Sequence, residues 1–301
     1  MLAQLLDGKK LAEEIGQKLK EKSSSFKSTT GRAPTLATVL VGNHSPSQVY
    51  VRSKIKACAS LGIISMEHQL PESVSQEKLE ALVHQLSRNP QVDGILLQIP
   101  LPPSLKPDLI LEFLAPEKDV DGSTPANLGR LYSLKSWQEI EQSPVFVPCT
   151  PLGIVRLLQK TEKNLSGARA VVLGRSNIVG KPMMFLLSAL DATVTLCHSQ
   201  TKNLEETCSQ AEVLISAIGK ARFVRPAMVA EGAVVIDVGI GRDEDNQFCG
   251  DVDTPSVSAK ASWITPVPGG VGPMTVIMLM RNTILSAYRR LRLNSSDFKK
   301  I

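Results

Sequence analysis

Aromatic side chains are scarce in this 301-residue chain, at 4% of the residues, although hydrophobic residues make up 43%. That hydrophobic fraction is too high for a disordered chain. The core must therefore rest on Leu, Ile, Val and Ala, a composition typical of parallel sheets that are covered by helices. The length is sufficient for two ordinary domains.

Other absences exclude whole classes of protein. The five cysteines show neither a C-x-x-C motif nor Cys/His ligand spacing, which excludes a disulfide framework or structural zinc and indicates a reducing compartment. No apolar run is long enough to cross a membrane, and the apolar stretch before Asp7 is too short for a signal peptide. We therefore expect a cytoplasmic protein that binds no membrane.

The charge is only mildly unbalanced, with 34 basic and 29 acidic residues and a net charge of +5. Without a recognisable nucleic-acid-binding motif, this excess predicts no nucleic-acid partner. The basic segment from Arg289 to Lys300 indicates a solvated helix face that ends in a frayed terminus.

The first half of the chain alternates short apolar runs with amphipathic stretches. Ser45-Pro46 can open a helix, with Ser as its cap and Pro in its first turn. The alternation predicts a β-α-β-α-β unit with a parallel sheet. Its expected strands are 36–41, 62–68 and 94–99, and its expected helices are 8–22, 75–88 and the one opened at Ser45.

The second half repeats this alternation after a proline-punctuated, loop-rich connection over 100–150. Four buried strands with short crossovers predict a doubly wound nucleotide-binding domain. A final apolar helix is expected from about Pro273 and should fold back onto the first domain. The expected strands are 169–173, 193–197, 213–217 and 234–238, and the expected helices lie near 178–190, 204–210 and 225–230.

A phosphate-binding loop is predicted at Gly174-Arg175-Ser176, directly after strand 169–173. Gly allows the tight turn, the small Ser lets backbone N–H groups approach a phosphate, and the following helix N-terminus favours an anion. The pattern G-x-S-x-x-x-G departs from the usual dinucleotide fingerprint, so a plain strand–helix turn is the alternative for this segment alone.

The end of the next strand indicates which dinucleotide is bound. It reads Cys197-His198-Ser199, without the acidic residue that binds the ribose of NAD. Arg175 in the preceding loop suits the 2′-phosphate of NADP. The alternative is that Arg175 is an ordinary surface cation and that Ser199 only caps a turn.

The candidate reaction centre lies in the first half. Tyr50 and Lys54 are four residues apart and share a helix face. A lysine at the edge of a core can have a lowered pKa and serve as an acid or base, although such pairs are more often surface contacts. Gln98 ends an apolar strand, where it must be hydrogen-bonded in the core or face a cleft.

Two further segments combine turn chemistry with possible ligand contacts. Asp119 and Asp121 could bind a substrate amine system, bind a metal or turn the chain, and without a third ligand we predict no metal site. Three glycines within 268–273 suggest close backbone approach to a ligand, with a stiff start to the last helix as the alternative.

These segments together resemble the family of bifunctional methylenetetrahydrofolate dehydrogenase/methenyltetrahydrofolate cyclohydrolases. The likeness runs in one order from residue 4 to about 285. The motifs that carry it are SQVYVRSK (47–54), GILLQIPLP (94–102), PEKDVDG (116–122), PCTPLG (148–153), GRS (174–176), GDVD (250–253) and ITPVPGGVGPMT (264–275).

The resemblance implies a two-domain α/β fold with a cleft between the domains. A smaller folate-binding catalytic domain with a parallel sheet would span 1–145, completed by the C-terminal helix 273–293. A doubly wound, Rossmann-like NADP-binding domain would span 146–272, and 294–301 would be a tail. The family oxidises 5,10-methylenetetrahydrofolate with NADP⁺ and hydrolyses the methenyl product to 10-formyltetrahydrofolate. It typically forms homodimers through the cofactor domain.

The resemblance also implies roles for individual residues. Lys54 would be the general acid/base of the hydrolysis, Tyr50 and Gln98 would position it and the folate, and Asp121 would bind the pterin ring. The loop from Pro268 to Thr275 would close on substrate and cofactor. The implied folate contacts also include Pro268, Gly269 and Gly270, and the implied NADP contacts are Gly174, Arg175, Ser176, Ser199, Ile240 near the nicotinamide, and Thr275.

Two other functions compete with this interpretation. An NADP dehydrogenase acting on a hydroxy or amino acid explains the cofactor half of the chain, but not why Tyr50, Lys54, Gln98 and Asp121 occur in these contexts. A non-catalytic NADP-binding regulatory module is disfavoured by the intact Lys54.

Overall fold

The computed structural model describes residues 2–42, 45–243 and 246–301, without the side chains of 45–50 and 300. The chain forms two compact units that interleave in sequence. Unit 1 comprises Met1–Ala12, Leu134–Gln142 and Thr150–Thr275, and unit 2 comprises Glu13–Ser133, Ser143–Cys149 and Val276–Ile301. The limits of the functional domains stay a prediction.

Strands and helices alternate along most of the chain. The strands are β1 Gln4–Leu5, β2 Thr35–Val41, β3 Ile64–Leu70, β4 Gly94–Leu97, β5 Arg169–Leu173, β6 Thr193–Cys197, β7 Val213–Ser216, β8 Val234–Asp237, β9 Gly241–Arg242, β10 Phe248–Cys249 and β11 Trp263–Ile264. The helices are α1 Gly8–Thr30, α2 Ser45–Leu61, α3 Gln76–Arg88, α4 Pro107–Leu111, α5 Pro125–Tyr132, α6 Trp137–Gln142, α7 Cys149–Gln159, α8 Gly180–Ala189, α9 Leu204–Ser209, α10 Thr254–Val257 and α11 Val271–Arg290.

Unit 2 contains a parallel sheet in the order β3-β2-β4, as the alternation in the first half predicts. The middle strand β2 is buried along its whole length. Helix α3 covers the sheet with Leu79, Val83 and Leu86, which recur at helical spacing. The Ser75 hydroxyl caps this helix by accepting a hydrogen bond from the backbone N–H of Lys78.

Unit 1 contains a sheet in the order β1-β11-β8-β7-β5-β6, in which all adjacent strands are parallel. The four predicted strands β5 to β8 form four of its six strands, and the prediction of a doubly wound domain is confirmed. The short strands β1 and β11 were not predicted, because two residues carry no periodicity. A β9–β10 hairpin adds a separate antiparallel pair.

Two expectations from the sequence are wrong, and one is incomplete. The loop-rich stretch 100–150 also contains the short helices α4 to α6 and the start of α7, which were not predicted, because Pro107 and Pro125 occupy first-turn positions where proline needs no hydrogen-bonded N–H. The helix expected near 225–230 is only a short 3₁₀ turn, Pro226–Met228. Helix α1 continues to Thr30 rather than ending near residue 22.

The C-terminal end is not frayed as the charge pattern suggested. The last residues form a 3₁₀ turn, Ser296–Lys300, in which Phe298 is 1% exposed. The Phe298 ring packs edge-on against Tyr288, with 5.3 Å between ring centroids. The favourable free energy of burying the Phe298 ring outweighs the repulsion between the nearby basic side chains, because water screens that repulsion. Among the helices described, none has the length and apolarity that crossing a bilayer requires.

Candidate functional site

Lys54 is the first candidate residue of unit 2, and its side chain is only 8% exposed. Helix α2 places it beside the buried stripe that Val51 and Cys58 contribute. Its Nζ donates a hydrogen bond of 2.8 Å to Oε1 of Gln98. Burial rules out the interpretation of Lys54 as an ordinary surface cation.

Gln98 is held in one orientation. Its backbone N–H continues the sheet ladder by donating to the carbonyl of Val39, and its Nε2 donates to the carbonyl of Ile99 at 2.7 Å. Because the amide nitrogen is committed to a carbonyl, only Oε1 can face Lys54. Oε1 of Gln98 therefore accepts a hydrogen bond from Nζ of Lys54 at the end of the strand, whether the amine is charged or neutral.

The charges of Lys54 and Asp121 are both disfavoured by burial. Desolvation lowers the pKa of Lys54, against the attraction of Asp121 and Cys149, which raises it. Desolvation also raises the pKa of Asp121 to about 6, against the opposing effect of Lys54. Shifts in these directions favour the neutral amine and the protonated carboxyl, and a neutral lysine is the form that can act as a general base.

Asp119 and Asp121 have separate roles despite their spacing. Asp119 is fully buried and its carboxylate accepts hydrogen bonds from the backbone N–H groups of Ser123 and Thr124 and from Nδ2 of Asn127. Asp119 thus turns the chain ahead of α5. Asp121 interacts instead with Lys54 and Cys149. In the described part of the chain, no group of three or more His, Cys, Asp or Glu side chains could hold a metal ion.

Two residues of this site escaped the reasoning from residue patterns. The buried Cys149 thiol donates to the carbonyl of Val120 at 3.2 Å and contacts Asp121. Asn282 on α11 donates from Nδ2 to the same carbonyl at 2.9 Å. The only available signal was a cysteine between two prolines and a polar residue within an apolar helix. The Tyr50 side chain lies outside the described residues, so its predicted role stays a prediction.

Unit 1 carries a cavity of about 310 Å³ at the carboxyl ends of β5, β6 and β7. Ligands of open α/β sheets bind at this edge. The predicted Gly174, Arg175 and Ser199 all line it, which brings the two predicted cofactor segments together. The lining also includes His198, Ile218, Lys220 and Phe223, which the sequence reasoning missed.

The loop at Gly174 has the close packing that its glycines suggest. Gly174 has φ +107°, and a Cβ there would lie 2.3 Å from the carbonyl oxygen of Ala217. A Cβ on Gly180 would lie 1.9 Å from the carbonyl oxygen of Gly174. Ser176 accepts hydrogen bonds at its Oγ from the backbone N–H groups of Val179 and Gly180, which lie at the start of α8.

A buried carboxylate holds the third loop of the cavity. Oδ2 of Asp251 accepts from the backbone N–H of Ile218, and Oδ1 accepts from that of Lys220, each at 2.8 Å. Asp237 in turn accepts from the backbone N–H of Asp251 at 2.9 Å. Burial raises the pKa of Asp237 to about 7. In the GDVD segment, Asp251 therefore organises the cavity wall without lining it.

The glycine-rich segment before α11 is explained in part by its own packing. Gly270 is buried, and a Cβ there would lie 2.6 Å from the carbonyl oxygen of Pro266. Gly269 has φ +110°, and Pro268 is exposed. Residues 271–275 form the first turn of α11 rather than a loop, and Thr275 shares a 2.9 Å hydrogen bond with Thr150.

The predicted nicotinamide contact Ile240 is 51% exposed and is not among the residues that line the cavity.

Two family models match this chain. The model described as the catalytic domain of tetrahydrofolate dehydrogenase/cyclohydrolase matches residues 6–121. The model described as the NAD(P)-binding domain of the same enzymes matches residues 148–291. The first contains Lys54, Gln98 and Asp121, and the second contains the whole cavity lining.

Full-length relatives agree with these matches. The bifunctional protein FolD of Moorella thermoacetica is 49% identical over 96% of this chain and 100% of its own length. The crystal structure of the bifunctional FolD dehydrogenase/cyclohydrolase of Campylobacter jejuni superposes with a TM-score of 0.90 at 47% identity, covering 96% of this chain and 99% of that one. The Trypanosoma brucei enzyme, solved with NADP cofactor and inhibitor, has a TM-score of 0.90 at 37% identity, covering 97% and 99%.

Proposed function

The chain belongs to the tetrahydrofolate dehydrogenase/cyclohydrolase family, and on that premise we propose that Lys54 transfers the protons of its hydrolytic reaction. The protein is a bifunctional enzyme. It oxidises 5,10-methylenetetrahydrofolate to the methenyl form with NADP⁺ and hydrolyses that product to 10-formyltetrahydrofolate. The observation that supports the role of Lys54 is its buried Nζ, which is hydrogen-bonded to Gln98 and lies near Asp121.

Hydrolysis needs one group that first accepts a proton and then returns it. Neutral Lys54 takes a proton from water as the water oxygen bonds to the methenyl carbon. When the bond between that carbon and N5 breaks, the Lys54 ammonium gives its proton to N5. The hydroxyl proton leaves as the carbonyl forms, so one proton is released overall. The lowered pKa of Lys54 increases the fraction of the side chain that is neutral and able to accept this proton.

The neighbours of Lys54 orient this chemistry. Gln98, fixed through its amide nitrogen, holds the Lys54 Nζ on one side. Ionised Asp121 would accept hydrogen bonds from the amino-substituted pterin ring, the strong kind that a charged acceptor forms. Tyr50 would help to position Lys54 and the folate from the same helix. Pro268, Gly269 and Gly270 remain predicted folate contacts.

The cavity of unit 1 fits NADP. Its position at the strand ends suits a pyrophosphate, and Arg175 with Ser199 suits the 2′-phosphate. Lys220 adds a second cation to the lining. Ser176, Ile240 and Thr275 would contribute further contacts. When bound, NADP⁺ supplies the hydride acceptor, and the protein supplies orientation and electrostatics.

We further propose a cytoplasmic homodimer that associates through unit 1. Five free, buried cysteines suit a reducing compartment. Unit 1 exposes large apolar side chains, including Leu5 at 60% and Phe248 at 57%, of the kind that protein interfaces cover. Sedimentation equilibrium of the purified protein would report twice the chain mass, and a monomer across micromolar concentrations would refute the dimer.

A single absorbance assay tests the function. The enzyme is mixed with NADP⁺ and 5,10-methylenetetrahydrofolate, and the spectra of NADPH and of the methenyl product are followed separately. We expect NADPH to accumulate while the methenyl signal rises and then decays. A folded sample that produces neither signal would refute the proposed function. NADPH without methenyl decay above the enzyme-free rate would refute the hydrolytic half.

A further inference from the structure

Asn282 on α11 is buried, at 1% exposure, among the segments that carry the hydrolytic site. Its Nδ2 donates to the carbonyl of Val120 at 2.9 Å and to that of Val147 at 3.3 Å. Val120 directly precedes Asp121, and Val147 lies two residues before Cys149. One side-chain amide thus joins two chain segments that are 27 residues apart and belong to the same unit.

The orientation of the Asn282 amide is fixed from both sides. Backbone carbonyls only accept hydrogen bonds, so the two that face Asn282 require its NH₂ group. On its other side, Nη1 of Arg281 donates to Oδ1 of Asn282 at 3.0 Å. Nη2 of Arg281 donates to the carbonyl of Phe298 at 2.7 Å, in the buried C-terminal turn. Neither a carboxylate nor a flipped amide would satisfy this set of partners.

The Asn282 amide is also connected to Asp121 and Lys54 indirectly, through Cys149. Nδ2 of Asn282 lies 3.7 Å from Sγ of Cys149, whose thiol donates to the same Val120 carbonyl. The Cys149 thiol contacts Asp121, which acts electrostatically on Lys54. A displaced Val120 carbonyl would therefore move both Asp121 and Cys149 relative to Lys54.

We propose that Asn282 is a positioning residue of the cyclohydrolase site, holding Asp121 and Cys149 against Lys54 by tying their two segments together. This inference rests on the proposed function of Lys54 and Asp121, and it adds a residue that touches neither substrate nor Lys54. The C-terminal turn supports Asn282 through Arg281, which gives the last residues of the chain a connection to the site.

The test compares Asn282→Leu with the wild-type enzyme and with Thr283→Val. Leucine keeps the size but donates no hydrogen bond. Thr283 is the next residue on α11, also fully buried, and its hydroxyl donates to the carbonyl of Leu279 within the helix. The control therefore reports what losing a buried hydrogen bond of α11 does on its own.

We expect Asn282→Leu to lower kcat/KM for methenyltetrahydrofolate by about tenfold or more, since small misplacements of catalytic groups are costly. Its pH–rate profile should shift to lower pH, because a displaced Asp121 no longer supports the charged form of Lys54. Thr283→Val should keep the wild-type profile. Unchanged kcat/KM and pH profile in Asn282→Leu would overturn the proposal, as would an equal shift in Thr283→Val.

Two further measurements keep the outcome decisive. If Asn282→Leu does not fold, Asn282→Ser, which retains one donor, should show a smaller shift in the same direction, and a wild-type profile would overturn the proposal. Binding of tetrahydrofolate, followed by calorimetry, should weaken in the Asn282 variant but not in the control. Absence of hydrolysis by the wild type would refute the proposed function instead, while the binding comparison would still test the position of Asp121.

Discussion

At the scale of single residues, the site is governed by desolvation rather than by ion pairing. Lys54 and Asp121 are close enough to attract each other, yet burial has the larger effect on the pKa of both. The charged forms of both side chains are therefore disfavoured despite their mutual attraction. The same burial that makes Lys54 unfavourable as a charged group makes it useful as a base.

Replacing Lys54 should separate activity from folding. Lys54→Met should abolish hydrolysis of methenyltetrahydrofolate, since a thioether accepts no proton from water. The fold should be retained at a lower melting temperature, because Oε1 of Gln98 loses its donor and Asp121 loses its nearby cation. Lys54→Arg should be equally inactive, because a guanidinium stays protonated. Absorbance decay of the methenyl form and thermal circular dichroism check both effects. Hydrolysis at the wild-type rate in either variant would contradict the role of Lys54.

The ionisation of Asp121 predicts a pH dependence of folate binding. Its pKa is raised to about 6, and only the ionised carboxylate accepts hydrogen bonds from the pterin at both oxygens. Affinity for tetrahydrofolate should therefore rise as the pH increases through about 6 and level off above it. Calorimetric titrations between pH 5 and 8 would measure this, with Asp121→Asn expected to bind more weakly and without the rise. The same rise in Asp121→Asn would assign it to another group.

Arg175 predicts the choice of dinucleotide. Arg175→Ala should weaken NADP binding by ~10-fold or more, because a charge-assisted hydrogen bond contributes roughly 1.5–3 kcal/mol. NAD lacks the 2′-phosphate and should lose little affinity. Fluorescence titration with NADPH and NADH gives both dissociation constants, and Arg242→Ala, outside the cavity lining, serves as a control for lost surface charge. Equal losses for both cofactors would contradict a 2′-phosphate contact.

Residues of these sites could be predicted only where a local sequence pattern indicated them, and not where their partners lie far away in the sequence. Tyr50 and Lys54 share a helix face, and Gln98 stands out in an apolar strand, so local patterns indicated them. Asn282 and Cys149 meet across 133 positions in the chain, and no local pattern encodes that contact. The resemblance pointed to the segment around Cys149, but its contact with Asp121 required the fold.

At the scale of elements, the cavity of unit 1 depends on three loops at neighbouring strand ends. The loops after β5 and β6 could be predicted, because the carboxyl ends of parallel strands meet at one edge. The loop after β7 could not, since its shape is set by Asp251, 31 positions away from Lys220. Short elements were missed for a similar reason: β1 and β11 exist only through their pairing with distant residues.

Asp251 should be essential for the shape of that loop. In Asp251→Asn, one acceptor oxygen becomes an NH₂ group that faces a backbone N–H of Ile218 or Lys220, at a cost of about 1–3 kcal/mol for an unsatisfied buried group. We expect a lower melting temperature and weaker NADP binding. Asp253→Asn is the control, because its carboxylate accepts a hydrogen bond from Ser256 and lies 3.8 Å from the Arg222 side chain, but does not bind the backbone N–H groups of Ile218 and Lys220. Weakened NADP binding in the control alone would refute this role of Asp251.

At the scale of the whole molecule, each unit collects segments from distant parts of the chain. In unit 2, the fully buried Asp93 accepts two hydrogen bonds from Arg32, at 2.6 and 2.8 Å, and one of 2.9 Å from Arg290. It also accepts from the backbone N–H of Thr35. Asp93 thus joins the end of α1, the sheet and the end of α11. Charge patterns predicted only a solvated face for the basic end of α11, because the partner of Arg290 lies 197 positions earlier.

Removal of Asp93 should destabilise unit 2 strongly. Asp93→Ala leaves two partly buried guanidinium groups without their carboxylate, and breaking a buried ion pair on one side costs about 3–5 kcal/mol. The exposed pair between Lys22 and Asp297 is the control, and Asp297→Ala should cost less than ~1 kcal/mol. All three tyrosines lie in unit 2 and both tryptophans in unit 1, so tyrosine and tryptophan signals report on different units during urea unfolding. The tyrosine transition of Asp93→Ala should move to a lower urea concentration than that of Asp297→Ala. Equal midpoints would show that the three-way contact at Asp93 contributes no more to the fold than a surface ion pair.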